Sequence, residues 1–130
     1  VIPQANSNTN TLNNYYIHWF FATVAGIAKV GSYTGTGSSE QTIDCGFTNG
    51  TKFLIIKYKD GNGDWLWFDN GTELDFGAGA NDRHLIIQTN VGRSSAVDYI
   101  NPDSSGFKVP ANQAVTNTLN SEYIFYAIAE

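Results

Sequence analysis

One short stretch, YKDGNGDWLWFDNGTE at residues 58–73, crowds carboxylates, amides and indoles together. Asp60, Asn62 and Asp64 stand at alternate positions, the spacing at which a calcium loop presents its oxygen ligands. A helix-flanked calcium loop also needs glycine at its sixth position and glutamate at its twelfth. Trp65 and Gly71 occupy those places, and the flanks read as strands. Asp60, Asn62 and Asp64 are therefore weak candidates for a looser metal site, and no bound metal is expected.

The same residues read more simply as a turn. Asp-Gly and Asn-Gly are strong hairpin dipeptides because these residues tolerate positive φ. A β-hairpin is expected over 52–68, with KFLIIKYK as its first strand and DWLWF as its second. Along the second strand Trp65 and Trp67 share one face, and Leu66 and Phe68 share the other. Two indoles beside Asp64, Asp69 and Asn70 make a candidate glycan-binding lip, because ligand sites combine an apolar platform with a few placed polar groups. Core or interface packing is the other reading of the two tryptophans.

Other reactive groups are sparse. Asp82, Arg83 and His84 resemble a catalytic fragment, but polar clusters are also common where a loop meets a strand. There is no G-x-S-x-G elbow and no H-E-x-x-H helix. GAGAND at 77–82 lacks the following helix that a phosphate-binding glycine loop needs. The carboxylates Asp60, Asp64, Asp69, Glu73 and Asp75 are dense enough for a glycosidase pair, but their spacing singles out no two of them. His18 reads as a hydrogen-bonded strand residue. NGT at 49–51 and 70–72 matches the N-glycosylation pattern, and Asn-Gly is equally plain turn chemistry. No catalytic residue, no cofactor and no enzymatic activity are expected.

The elements that must position these residues are strands. The 130 residues suffice for one domain with a real core. The chain is 42% hydrophobic and 14% aromatic, yet only 15% charged, with a net charge of −5. That balance argues against a nucleic-acid backbone as partner, which needs a basic stripe. Cys45 is the single cysteine, so an intrachain disulfide and a Cys-type zinc site are excluded. Within TIDCGF it reads as a small core residue. No stretch is apolar for long enough to span a bilayer as a helix. Methionine is absent, including at position 1, so the sequence is expected to begin after processing or to be part of something longer.

Residues 1–14 are polar and Asn-rich and read as an extended arm. YYIHWFFA (15–22) is a dense aromatic run that reads as a buried strand. Strands are also expected at 26–35, where Ile27, Lys29, Gly31 and Tyr33 share a face, and at 41–47, 85–89, 95–100, 107–109 and 122–129. NPDSSG (101–106) reads as a turn. No segment shows a capped 3.6-residue period. Turns recur every 8–12 residues or so, the pattern of an antiparallel all-β sandwich. The expected fold is jelly-roll-like, with about 8–10 short strands in one domain over 15–130.

Taken in order, KVGSYTGTGS (29–38), FLIIKYKDGNGDWLWFD (53–69), AVDYINPDSSGFKV (96–109) and EYIFYAIAE (122–130) resemble one family. It is a small β domain of unknown function found near the C-terminal ends of virion and tail-fibre proteins of tailed phages, often marine ones. The resemblance covers residues 27–130, and it rests on motif order and spacing more than on any one motif. In larger relatives the domain follows a lectin-like sandwich ending in a strand of the type YIAYLFA, to which YYIHWFFA (15–22) is similar. The resemblance implies a place on the virion surface, in a tail fibre, head fibre or capsid decoration. The implied partners are copies of the chain itself, other virion proteins and host-surface glycans, without nucleic acid or membrane insertion. Tyr15, Tyr16, Ile17, Trp19, Phe20 and Phe21 are the expected assembly residues, since one small domain has little room to bury them all. A secreted filament or pilus-like subunit, joined by donor-strand exchange through the arm, is one rival reading. A carbohydrate-binding module or glycosidase fragment is another.

Overall fold

The computed structural model describes residues 12–71, 77, 81–90, 92 and 97–130. The arm at 1–11, Glu73, Asp75 and parts of the 76–83 loop and the 95–100 segment lie outside these. Among the described residues, eight strands run in chain order: β1 (Ala28–Thr34), β2 (Gln41–Asp44), β3 (Thr51–Tyr58), β4 (Trp65–Asp69), β5 (Leu85–Ile86), β6 (Asn101–Asp103), β7 (Gly106–Val109) and β8 (Glu122–Ala129). All pairings are antiparallel. They form a five-stranded sheet, β1-β8-β3-β4-β5, and a three-stranded sheet, β2-β7-β6, packed as a β-sandwich. No helix occurs among the described residues.

The sandwich keeps part of a jelly roll. β1 pairs with β8 and β2 with β7, the nested pairing of a rolled-up hairpin. The nesting then stops. β3 turns back on β4 and β6 on β7, each as a local hairpin.

The core forms where the two inner faces meet. β3 contributes Leu54 and Ile56, β4 Leu66 and Phe68, and β8 Tyr123, Phe125 and Ala127. Ile43, Phe107 and Val109 face them from the small sheet, and Cys45, Phe47 and Ile100 close the margins. Tyr33 stacks on Tyr123 at 4.9 Å, and Phe107 meets Phe125 edge-on at 5.2 Å. Both tyrosine hydroxyls are satisfied: Tyr33 Oη donates to the Thr116 carbonyl (2.8 Å), and Tyr123 Oη accepts from the Thr118 amide (3.0 Å). Gly31 lies opposite Phe125, where a Cβ would come within 2.6 Å of the ring. Burial pushes the Cys45 thiol up to about 11, so it packs as an inert small side chain.

Three expected elements differ. Residues 15–22 belong to no strand, and most of the segment is exposed. Its composition signals burial, but the interior is already filled by β1, β3, β4, β8 and the small sheet. His18 is accordingly an exposed residue between Tyr16 and Phe20, with ring centroids at 6.4 and 6.3 Å, and not a strand residue. Residues 97–100 also form no strand, because the Tyr99 and Ile100 amides donate to the Asp82 carboxylate in place of a ladder. Conversely, 101–103 is strand β6, and the turn shrinks to Ser104 and Ser105. Pro102 is tolerated there because β6 is an edge strand.

Candidate functional site

The hairpin that carries the candidate lip pairs Phe53 with Asp69 and Lys57 with Trp65. Its glycines work differently from the sequence expectation. Neither Gly61, Asn62 nor Gly63 has positive φ. They are needed for space: a Cβ at Gly63 would fall 2.4 Å from Tyr58 Cβ, and one at Gly61 2.9 Å from Tyr58 Cε1.

The loop holds a cation of its own. Lys57 Nζ donates to the carbonyls of Tyr58 and Gly63, both at 2.7 Å, and reaches the Gly61 carbonyl at 3.4 Å. Asp60 Oδ2 accepts from the Glu122 amide (2.6 Å), and Asp64 Oδ1 accepts from Gln88 Nε2. The alternating oxygens of Asp60 and Asp64 thus fasten the loop to β8 and to the segment after β5. Among the described residues no cluster of three or more His, Cys, Asp or Glu side chains could hold a metal ion.

Trp65 and Trp67 do share the outer face of β4, while Leu66 and Phe68 point into the core. The polar residues expected beside them are split. Asp64 lies at one end of β4 and Asp69 and Asn70 at the other, about 16–20 Å apart at roughly 3.3 Å per residue. Asp69 Oδ1 accepts from the Gly71 amide (2.9 Å), and Asn70 Nδ2 reaches the Thr51 carbonyl (3.3 Å). Trp67 wedges against Phe53 (5.1 Å), and its buried Nε1 has no hydrogen-bond partner among the described residues. Trp65 keeps 40% of its surface exposed.

The indoles belong to a larger surface that the sequence reading did not assemble. Val30, Tyr126, Ile55, Trp67 and Leu85 stand in one row straight across the five strands. Ile124 and Trp65 lie in the next row on either side of Lys57, and Phe53 packs edge-on to Tyr126 at 6.2 Å. β3 and β8 are therefore largely apolar on both faces, with Lys57 at one end of the outer face. An antiparallel sheet with one solvated face would alternate instead. The unbroken runs FLII and YIFYAIA carried that signal in the sequence.

The 15–22 segment comes over this face. Phe21 packs on Tyr126 with ring centroids at 4.5 Å. Thr23 Oγ1 then plugs the free edge of β1, accepting from the Val30 amide (3.1 Å). Trp19 and Phe21 form one wall of a groove of about 340 Å³, whose floor is Val30, Ile55, Trp65, Ile124 and Tyr126. Most of the segment stays in solvent: Tyr15 is 102% exposed, Phe20 90%, Ile17 86% and Trp19, in the wall itself, 78%.

Asp82 and His84 lie elsewhere and are buried. Asp82 Oδ2 accepts from the amides of Tyr99 (2.6 Å) and Ile100 (2.7 Å), and its own amide donates to the Val97 carbonyl (2.9 Å). Burial pushes its carboxyl up to about 7 despite those two donors. His84 packs between Phe68 and Tyr99, and burial lowers its pKa. Asp82 and His84 thus clamp the 97–100 segment to the sandwich.

Comparison with curated proteins gives no match, and neither does comparison with solved structures. One family model, described as Domain of unknown function (DUF7483), matches residues 1–130, so the chain belongs to that family.

Proposed function

We propose that this chain is a non-enzymatic structural module of a tailed-phage particle, exposed on its surface and assembled from copies of itself through Tyr15, Tyr16, Ile17, Trp19, Phe20 and Phe21. The observation that carries this reading is the uncharged aromatic run left in solvent beside an aromatic sheet face. A lone exposed apolar residue needs no explanation, but a contiguous patch of this kind is the mark of an interaction surface. The resemblance of residues 27–130 to virion and tail-fibre domains supports the particle setting, with other virion proteins as further partners.

The test is the native mass of the full chain and of a chain starting at Thr23. The expected result is a defined oligomer for the first and a monomer with unchanged far-UV circular dichroism for the second. A monomeric full chain overturns the reading. Open-ended polymers that grow with concentration would favour the filament subunit instead.

A second role has one observation in its favour. Trp65 presents a partly exposed indole on which a host-surface sugar ring could stack. Glycan-array binding by the chain, lost in Trp65→Ala, is the outcome that supports it.

A further inference from the structure

We infer that the groove on the outer face of the five-stranded sheet is the seat for the Tyr15–Phe20 segment of a second copy of this chain. The inference rests on the assembly reading above and adds the surface that receives the segment.

Three observations fix the occupant. The first is chemistry. The groove floor of Val30, Ile55, Trp65, Ile124 and Tyr126 carries no charge, and neither Lys nor Arg, Asp nor Glu occurs in residues 15–22. An aromatic strip meets an apolar floor, and Lys57, between Ile124 and Trp65, already has its ammonium engaged by loop carbonyls. The second is a contact already made. Phe21 lies on Tyr126 at 4.5 Å, which shows how an aromatic side chain of this segment beds on this face. The exposed residues before it have no comparable bed in their own chain, because Trp19 and Phe21 form the groove's wall and not its filling.

The third is area. Tyr15, Ile17, Trp19 and Phe20 together leave on the order of 700 Å² in solvent, at roughly 150–250 Å² for each aromatic side chain. A stable interface takes about 800 Å² from each partner. The segment and the groove floor together reach that size. Segment and groove also adjoin on one surface, so each copy can give its segment and receive its neighbour's across the same patch.

Two measurements decide the matter. In the first, Ile124→Lys places an ammonium on the groove floor of an otherwise intact chain. Ile124 is exposed, so the fold should survive, and circular dichroism checks that it does. Self-association is expected to weaken at least tenfold in sedimentation. In the second, Cys45 is first replaced by alanine. A chain carrying Ile17→Cys is then mixed with one carrying Ile124→Cys and oxidised. A covalent heterodimer is expected, well above the yield from Ile17→Cys mixed with Thr42→Cys on the small sheet.

If the chain starting at Thr23 is monomeric while Ile124→Lys still assembles and the cross-link stays at the Thr42 background, the segment docks elsewhere. The groove inference then fails and the assembly reading stands. If the full chain is itself monomeric, both fail together.

Discussion

The two sheets present opposite outer faces to their surroundings. On the small sheet, Thr42, Asp44, Asn101, Asp103 and Lys108 line the outside. Lys108 Nζ sits 3.7 Å from both Glu40 and Asp103, and Asn101 Nδ2 donates to Glu40 at 3.1 Å. Asp103 is held below the usual carboxylate range by the amide and hydroxyl of Ser105. This is a surface built for water. On the large sheet the same positions hold Val30, Phe53, Ile55, Trp65, Trp67, Ile124 and Tyr126, with Ser32, Lys57 and Asp69 at the margins. The core needs only the inner faces, so the second apolar face is surplus to the fold of a single chain. The contrast separates residues that make the sandwich from residues that make its contacts.

The largest break in that contrast should come from the interior. Phe107→Ala empties a fully buried site against Phe125 and is expected to cost about 3–5 kcal/mol, read by urea denaturation. Phe53→Ala, on the outer face of the large sheet, should cost a dissociated chain about 1 kcal/mol or less and should instead weaken self-association. If the two substitutions destabilise equally, the outer face is part of the core and the division is wrong.

Asp82 gives the next effect, through pH. Its folded pKa of about 7 lies above the usual value near 4, so between these values the folded state holds a proton that the unfolded state has released. The stabilisation is complete below about pH 4 and is lost as pH rises towards 7. The melting temperature should therefore fall by several degrees between pH 5 and pH 8. Asp82→Asn should flatten that slope, and a slope unchanged in the variant would remove Asp82 as its source.

Lys57→Met keeps the side-chain stem and removes the ammonium from the hairpin loop. The loop carbonyls lose a charged donor, for a cost on the order of 1–2 kcal/mol in thermal unfolding. Smallest of all, Lys108→Ala breaks only two half-exposed ion pairs at 3.7 Å and should shift stability by about 0.5 kcal/mol or less. A larger shift would mean that the polar face is organised as tightly as the core.

Where a pattern is local, the sequence read well. KFLIIKYK and DWLWF announced β3 and β4, and EYIFYAIA announced β8, because alternation or continuous apolarity marks a strand without knowledge of its partner. The sides of Trp65 and Leu66 followed from the two-residue period. What failed depended on distant groups. Nothing around Asp82 says that its carboxylate will take the amides of residues 99 and 100 and so cancel a strand. Asn117 is equally silent in sequence, yet its buried amide accepts from the Thr36 amide (2.7 Å) and donates to the carbonyls of Ser39 (2.9 Å) and Pro110 (2.8 Å), tying two loops together. YYIHWFFA misled because composition reports a need for burial and not where that need is met. The polar part of the candidate lip is spread out: the extended β4 puts Asp64 at one end of the strand and Asp69 and Asn70 at the other.

The place of β8 has a consequence in time. It follows the other seven described strands, yet it lies between β1 and β3 and hydrogen-bonds to both. The β3–β4 hairpin can close as soon as its own residues are available. β1 must wait for a partner some ninety residues downstream, since Gly31 pairs with Phe125. During synthesis the large sheet is thus a gap flanked by two waiting edges, and its assembly is a single late step dominated by long-range pairing. Such steps are slow, and until they finish the apolar edges are open to neighbouring nascent chains.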